Sequence, residues 1–278
     1  MASIFTSIRY LYLKLLITFS RLLIKLLTTS PKPNPDDILQ IPSRQRNRTI
    51  KVHVYKSPAV AEAEAEAETE TENNLEDRDK PPGPTSPTSP PPPAPVLINL
   101  YGSGLTFPLH GLDDQFCRFV SENTTYVVLD VEYSLAPEFP FPTALNDVED
   151  VLSYVENHPD QYDSEKISIS GFSSGGTLAL AAAAALAAAS TTRKSSPFKS
   201  LITFYPATNL AQDPSQRKTP IGGKERSPFW TRIFREAYIG PYDSRDPRIS
   251  PAFVTDVEVA RFPAYMLFVT GGVGCFCG

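Results

Sequence analysis

Ser173 lies in the run Ile167-Ser-Ile-Ser-Gly171-Phe-Ser173-Ser-Gly175-Gly176, whose centre, G-F-S-S-G, matches G-x-S-x-G. A serine hydroxyl attacks an acyl carbonyl only when a base takes its proton, and the attack leaves a negative oxygen that needs donors already in place. Ile167 to Ser170 is short, β-branched and apolar at alternate positions, which predicts a buried strand. Thr177 to Ala189 is almost pure Ala and Leu, which predicts a helix. A strand before and a helix after would lift the Ser173 hydroxyl above the sheet and aim the helix N-terminus at developing charge. Gly171 and Gly175 fit a turn in which a side chain would collide with its neighbours. A plain glycine-bearing strand-to-helix connection has the same pattern, so other residues must decide between the two readings.

A second glycine turn, Tyr101-Gly102-Ser103-Gly104, follows the apolar run Val96–Leu100. The backbone N–H of Ser174 is the natural donor from the serine turn, and Ser103 and Gly104 are the natural donors from this one. Losing one such donor costs an acyl-transfer enzyme about 3 kcal/mol. Neither turn fits G-x-x-x-x-G-K-[ST] or G-x-G-x-x-G, and no lysine follows to meet phosphates, so nucleotide binding is the poorer explanation.

The elements around these turns read as alternating strands and helices. Strands are expected at Asp37–Ile41, Thr49–Tyr55, Val96–Leu100, Tyr126–Val131, Leu201–Tyr205 and Ala264–Thr270, besides the one before Ser173. Helices are expected at Leu112–Ser121 and Thr143–Glu156, and Pro206–Pro251 reads as polar and irregular. This order implies an α/β domain with a mostly parallel sheet and helices on both faces, with ligands bound at the C-terminal strand ends. His53 is expected on the exposed face of its strand, and His110 as a structural loop residue.

Residues 1–30 carry Arg9, Lys14, Arg21 and Lys25 and no acid, and the longest uncharged run is too short to span a bilayer. They read as an amphipathic helix, and three uses fit: an interfacial helix with its basic face toward anionic lipid, a transit peptide, or a cap over the pocket. Interface or cap is preferred. Residues 59–95, Ala/Glu-rich and then Pro-rich, read as a disordered insertion within one domain spanning 36–278.

The whole chain has 278 residues, a net charge of -5 and 41 % hydrophobic residues, enough for one sizeable core and without the basic balance of a nucleic-acid binder. Cys117, Cys275 and Cys277 have no zinc spacing, so no metal or cofactor is expected.

Three blocks resemble the hormone-sensitive-lipase-like branch of the α/β-hydrolases, which includes arylacetamide-deacetylase-like carboxylesterases. Tyr101-Gly-Ser-Gly104 resembles its HGGG turn, and Gly171-Phe-Ser-Ser-Gly-Gly176 its G-D-S-A-G-G. Asp130-Val-Glu-Tyr-Ser-Leu-Ala-Pro-Glu138, with Phe141-Pro-Thr-Ala-Leu145, resembles D-Y-R-L-A-P-E and F-P-A-A-L. Asp246-Pro-Arg-Ile-Ser-Pro251 and Phe262-Pro-Ala264 match the spacing that follows. The resemblance runs over about residues 95–272. It implies an α/β-hydrolase fold and cofactor-free hydrolysis of small acyl esters or lipids, with Ser173 as nucleophile and Ser103, Gly104 and Ser174 as the oxyanion hole.

The departures lie at Tyr101, Ser103 and Phe172, where the family has His, Gly and Asp, and above all at the C-terminus. The triad order in this fold is Ser, acid, His. By spacing the acid position is Gly274, and all three histidines (His53, His110, His158) precede Ser173. Asp213, Asp243, Asp246 and Asp256 follow Ser173, but none follows the matching strand. The expectation is therefore a carboxylesterase or lipase by descent, without its last strand and helix, truncated or mis-spliced, and impaired in activity. Two rival readings are a non-catalytic small-ligand binder that keeps the pocket, and a membrane-associated interaction protein built on residues 1–30 and the Pro-rich tract.

Overall fold

The β-branched and apolar runs assemble into one seven-stranded sheet in a computed structural model that describes residues 2–27, 32–66, 92–189, 196–216 and 227–270. The strands are β1 (Asp37–Pro42), β2 (Thr49–Tyr55), β3 (Ala94–Leu100), β4 (Val127–Val131), β5 (Tyr162–Phe172), β6 (Phe198–Phe204) and β7 (Tyr265–Val269). Their spatial order is β1-β2-β4-β3-β5-β6-β7; β2 runs antiparallel to both of its neighbours, β1 and β4, and the other pairs are parallel. The crossover brings the C-terminal ends of β3 and β5 side by side, with Leu100 level with Gly171 and Gly171 level with Thr203. Both glycine turns therefore emerge at one edge of the same central strands, where open α/β sheets bind ligands.

The helices are α1 (Ala2–Leu27), α2 (Asp114–Asn123), α3 (Thr143–Glu156), α4 (Ser174–Ala189), α5 (Pro228–Ile239) and the single turn α6 (Asp256–Val259). α4 is apolar all round and almost wholly buried, as its Ala/Leu composition requires of a helix pressed between a sheet and other helices. α3 turns Leu145, Val148, Leu152 and Val155 into the core, as its spacing predicts. A partly buried ion pair ties it to the β1–β2 loop: Arg48 bonds both carboxylate oxygens of the buried Asp147, which also accepts the Ser134 N–H at 2.8 Å.

Three expectations need correction. The stretch Pro206–Pro251 contains α5, which starts on Pro228 at its first turn and buries Ile233, Ala237 and Tyr238. Residues 59–66, expected to lack structure, are helical, with Val60 packed on the core and Lys56 paired to Glu64 at 2.6 Å. Alanine propensity and one apolar anchor outweigh the glutamate repulsion there; residues 67–91 lie outside the described set, and the strand resumes already at Ala94. His53, expected on an exposed face, is 4 % exposed, because β2 lies inside the sheet and the loop carrying His110 covers its second face.

β7 forms one edge of the sheet, and all five of its residues, including Leu267 and Phe268, are exposed. No helix among the described residues is long and apolar enough to cross a membrane.

Candidate active site

Ser173 is the hinge between β5 and α4, and its backbone sits at φ +51°, in the left-handed region that side chains rarely adopt. Two contacts hold it there. The Ser173 N–H donates to Phe204 O at 2.8 Å, and Ser173 O accepts the Thr177 N–H at 3.0 Å as the helix begins. The turn closes only without side chains on its glycines: a Cβ on Gly171 would lie 2.4 Å from the backbone of Gly175. Such strain in a non-glycine residue marks functional sites, because the surroundings must enforce it.

The turn after β3 comes directly against this serine. A Cβ on Gly102 would lie 3.1 Å from Phe172 O and 3.4 Å from the Ser173 Cβ. Gly104 sits at φ +59° and is exposed. Ser173, Ser174 and Gly104 all line one cavity of about 570 Å³. Ser103 is placed differently. Its N–H donates to Ser174 Oγ at 2.9 Å, and its own hydroxyl lies 2.7 Å from Tyr133 Oη, which donates to Tyr101 O at 2.6 Å. The Ser103 N–H thus joins the two turns, and it could reach a substrate oxygen only by exchanging that bond. Burial raises the Tyr133 hydroxyl pKa above its ordinary value, so it stays protonated and remains a donor.

The remaining walls come from two helices. α1 contributes Phe19, Ser20, Leu23 and Ile24, and α5 contributes Trp230, Phe234, Arg235 and Tyr238. The aromatic side is packed: Phe234 meets Phe107 edge-on at 5.0 Å and stacks with Trp230 at 5.8 Å. Arg235 bonds the carbonyls of Leu210 and Gln212. α1 is tethered by Arg21, which donates to Thr106 O at 2.7 Å, Ala136 O at 2.8 Å and Glu138 at 3.0 Å. Arg9 pairs with Glu236 on α5. Sequence reasoning named a cap as one use of residues 1–30 but missed the α5 wall. The spacing of Trp230, Ile233, Phe234, Ala237 and Tyr238 was the signal available for it.

The lining contains no carboxylate and no histidine among the described residues. Gly274, the expected acid position, lies outside them. His158 bonds Tyr154 O at 2.7 Å on α3, away from the cavity. His110 also stays outside the cavity: its Nε2 lies 3.0 Å from Asp130 O and 3.2 Å from Asp130 Oδ2. Its ring stacks on His53 at 4.0 Å, and donor atoms of His53, His110 and Asp130 come within 4.8 Å of one another. Stacked imidazoles direct their in-plane lone pairs side by side, not at one point, so this group reads as packed polar core beneath the Tyr101 turn, in which His53 Nδ1, His110 Nδ1 and Asp130 Oδ2 have no hydrogen-bond partner among the described residues. Asn99 completes it, donating to Asp130 at 2.9 Å and accepting from Ser170 at 2.8 Å. Burial, with Asp130 nearby, raises the Asp113 carboxyl to about 7; burial, with His110 nearby, lowers His53 to about 4.

Residues 97–273 match the family model described as alpha/beta hydrolase fold. The chain belongs to that family. It is 32 % identical over 158 residues to the putative alpha/beta hydrolase R526 of Acanthamoeba polyphaga mimivirus, covering 55 % of this chain and 44 % of the relative. It is 38 % identical over 90 residues to an acetyl esterase of Salmonella schwarzengrund, covering 31 % of this chain and 27 % of the relative. This alpha/beta hydrolase chain thus spans less than half the length of these curated relatives. Among solved structures, a hyperthermophilic esterase of the archaeon Pyrobaculum calidifontis superposes with a TM-score of 0.60 at 23 % identity, covering 90 % of this chain and 69 % of that one. The thermostable carboxylesterase EstE1 from a metagenomic library gives 0.61 at 19 % identity, covering 94 % and 88 %. These likenesses establish the fold, a mostly parallel sheet flanked by helices.

Proposed function

We propose that the chain carries the acyl-transfer half of a carboxylic ester hydrolase of the hormone-sensitive-lipase-like branch, with Ser173 as nucleophile toward small acyl esters or lipids. One observation carries this reading: a strained serine at φ +51° opens onto an apolar cavity beside Gly104 and Ser174. Ser173 Oγ would attack the ester carbonyl. The N–H groups of Ser174 and Gly104 would meet the resulting oxyanion, with Ser103 joining after it leaves Ser174 Oγ. The acyl chain would lie along Phe234, Trp230 and Leu23. Peripheral membrane contact through residues 1–30 is part of this reading.

The proton acceptor that Ser173 needs is not among the described residues lining the cavity. Serine hydrolases lacking triad members keep only about 10³–10⁴-fold catalysis over water, from the oxyanion hole and binding. Turnover of p-nitrophenyl acetate by this chain should stay within that range, and Ser173→Ala, which leaves the oxyanion hole and the cavity in place, should keep most of it. In a chain that also carries the acid and the histidine, turnover that survives Ser173→Ala undiminished would refute the nucleophile assignment. A longer chain that supplies an acid and a histidine after β7 should gain several orders of magnitude.

The apolar lining, which holds no base among the described residues, favours a second reading, a binder of small apolar ligands. Saturable quenching or enhancement of Trp230 fluorescence by a non-hydrolysable ester analogue, with equal affinity in Ser173→Ala and no turnover in either protein, would support it.

A further inference from the structure

α1 is apolar on two faces, and only one is used inside the protein. Leu13 and Ile17 are buried against the core, and Arg21 is clamped on the same side. On the outer side Ile8, Leu11, Leu15, Phe19, Leu22 and Leu26 are each more than half exposed. At about 100° per residue these six, with Tyr12 and Leu23, fall in one stripe about 120° wide. Soluble surfaces seldom present so many large apolar side chains together. Lys14 and Lys25 lie on one flank of the stripe, and α1 contains no acidic residue. Thr18 and Lys25 also border a groove against Phe107–Leu109.

We propose that this outer face of α1 docks on an anionic lipid bilayer and turns the mouth of the Ser173 cavity toward the acyl chains. The link between stripe and cavity is physical. Phe19 and Leu23, 62 % and 45 % exposed, belong to both, so an apolar chain leaving the bilayer passes from one to the other without crossing water. The orientation differs from that of a helix using its most basic face. Arg21 points inward to Thr106 and Ala136 and Arg9 pairs with Glu236, which leaves Lys14 and Lys25 facing the headgroups. α1 does not qualify as a membrane-spanning helix, so it lies in the interface, its apolar side chains among the acyl chains and its lysines at the headgroup level. The substrate class that follows is a lipid ester delivered laterally, which deepens the ester-hydrolase reading and rests on it.

Two binding measurements, neither of which reads turnover, test the docking separately from the chemistry. The full chain should co-float with phosphatidylcholine–phosphatidylserine vesicles. Leu15→Asp combined with Leu22→Asp, neither of which lines the cavity, should abolish flotation. Lys14→Glu with Lys25→Glu should weaken binding roughly tenfold or more on anionic vesicles and little on pure phosphatidylcholine. Far-ultraviolet circular dichroism matching the unaltered protein qualifies each variant. Trp230, the only tryptophan, sits in the cavity wall, so brominated phospholipid in the same vesicles should quench its fluorescence. No flotation, or equal flotation by the aspartate variant, overturns the docking. So does a stripe-dependent dimer in sedimentation that ignores vesicles. Flotation without quenching of Trp230 overturns the orientation of the cavity.

Discussion

A Cβ on Gly175 would stand 2.0 Å from the carbonyl oxygen of Leu100, so α4 and β3 meet backbone to backbone beneath the serine turn. No rotamer change relieves a clash with main chain. Gly175→Ala should therefore destabilise the protein by about 3 kcal/mol or more, at the upper end of what overpacking costs. Gly102→Ala, whose added atom would sit 3.1 Å from Phe172 O, should cost less. Urea denaturation midpoints of the two variants should fall in that order.

Arg21 holds α1 through three hydrogen bonds, two of them to main-chain carbonyls. Arg21→Met keeps the aliphatic stem but removes every donor and leaves the Thr106 and Ala136 carbonyls without this partner. A loss of about 2 kcal/mol is expected, given the strength of hydrogen bonds from charged donors. Thermolysin should then cut within α1 well before the rest of the chain. Amide exchange at Gly104, two residues from Thr106, should quicken with it.

The buried polar group under the Tyr101 turn predicts an unusual dependence on pH. Asp113 titrates near 7 in the folded state, above its ordinary value, so its contribution is complete at acid pH and is lost as pH rises toward 7. His53 titrates near 4, below its ordinary value, so its contribution is complete above about 6.5 and is lost as pH falls toward 4. Between about 4 and 6.5 the two slopes oppose each other. Asp113→Asn should leave stability rising with pH across that window and should stabilise the protein at pH 8 by a few kcal/mol. His53→Asn should leave stability falling with pH. Guanidinium melts at half-unit pH steps would show both.

β7 presents Tyr265 to Val269 exposed at the sheet edge. Apolar edge strands recruit other chains unless charge blocks them. Leu267→Lys should lower concentration-dependent light scattering at 37 °C while leaving the melting temperature within about 2 °C, since an exposed substitution changes stability little. Unchanged scattering would show that β7 is not the sticky surface.

The sheet was legible because its strands are short apolar runs bounded by turn residues, and Thr49–Tyr55 appears as β2 with the expected ends. Thr143–Glu156 was equally plain, since its apolar residues repeat at helical spacing on one face. α5 was hidden because Arg232, Arg235 and Glu236 dilute its apolar face and polar residues surround it in sequence. The burial of His53 could not be read from alternation, which gives a strand two faces but does not say what covers the second. Sequence spacing marked Ser103 as a donor; only coordinates could show that its N–H already bonds Ser174 Oγ. The outer stripe of α1 was visible as hydrophobicity but not as exposure, because the inward side is set by where Arg21 finds carbonyls.

The Arg21 tether has a practical consequence for anyone preparing this protein. Trimming a hydrophobic leader to improve yield is routine, and a chain begun at Lys32 would still carry every strand of the sheet. It would also have lost one wall of the cavity and the contact that steadies Thr106, two residues from Gly104. An inactive preparation of that kind would report on the missing helix and say nothing about Ser173.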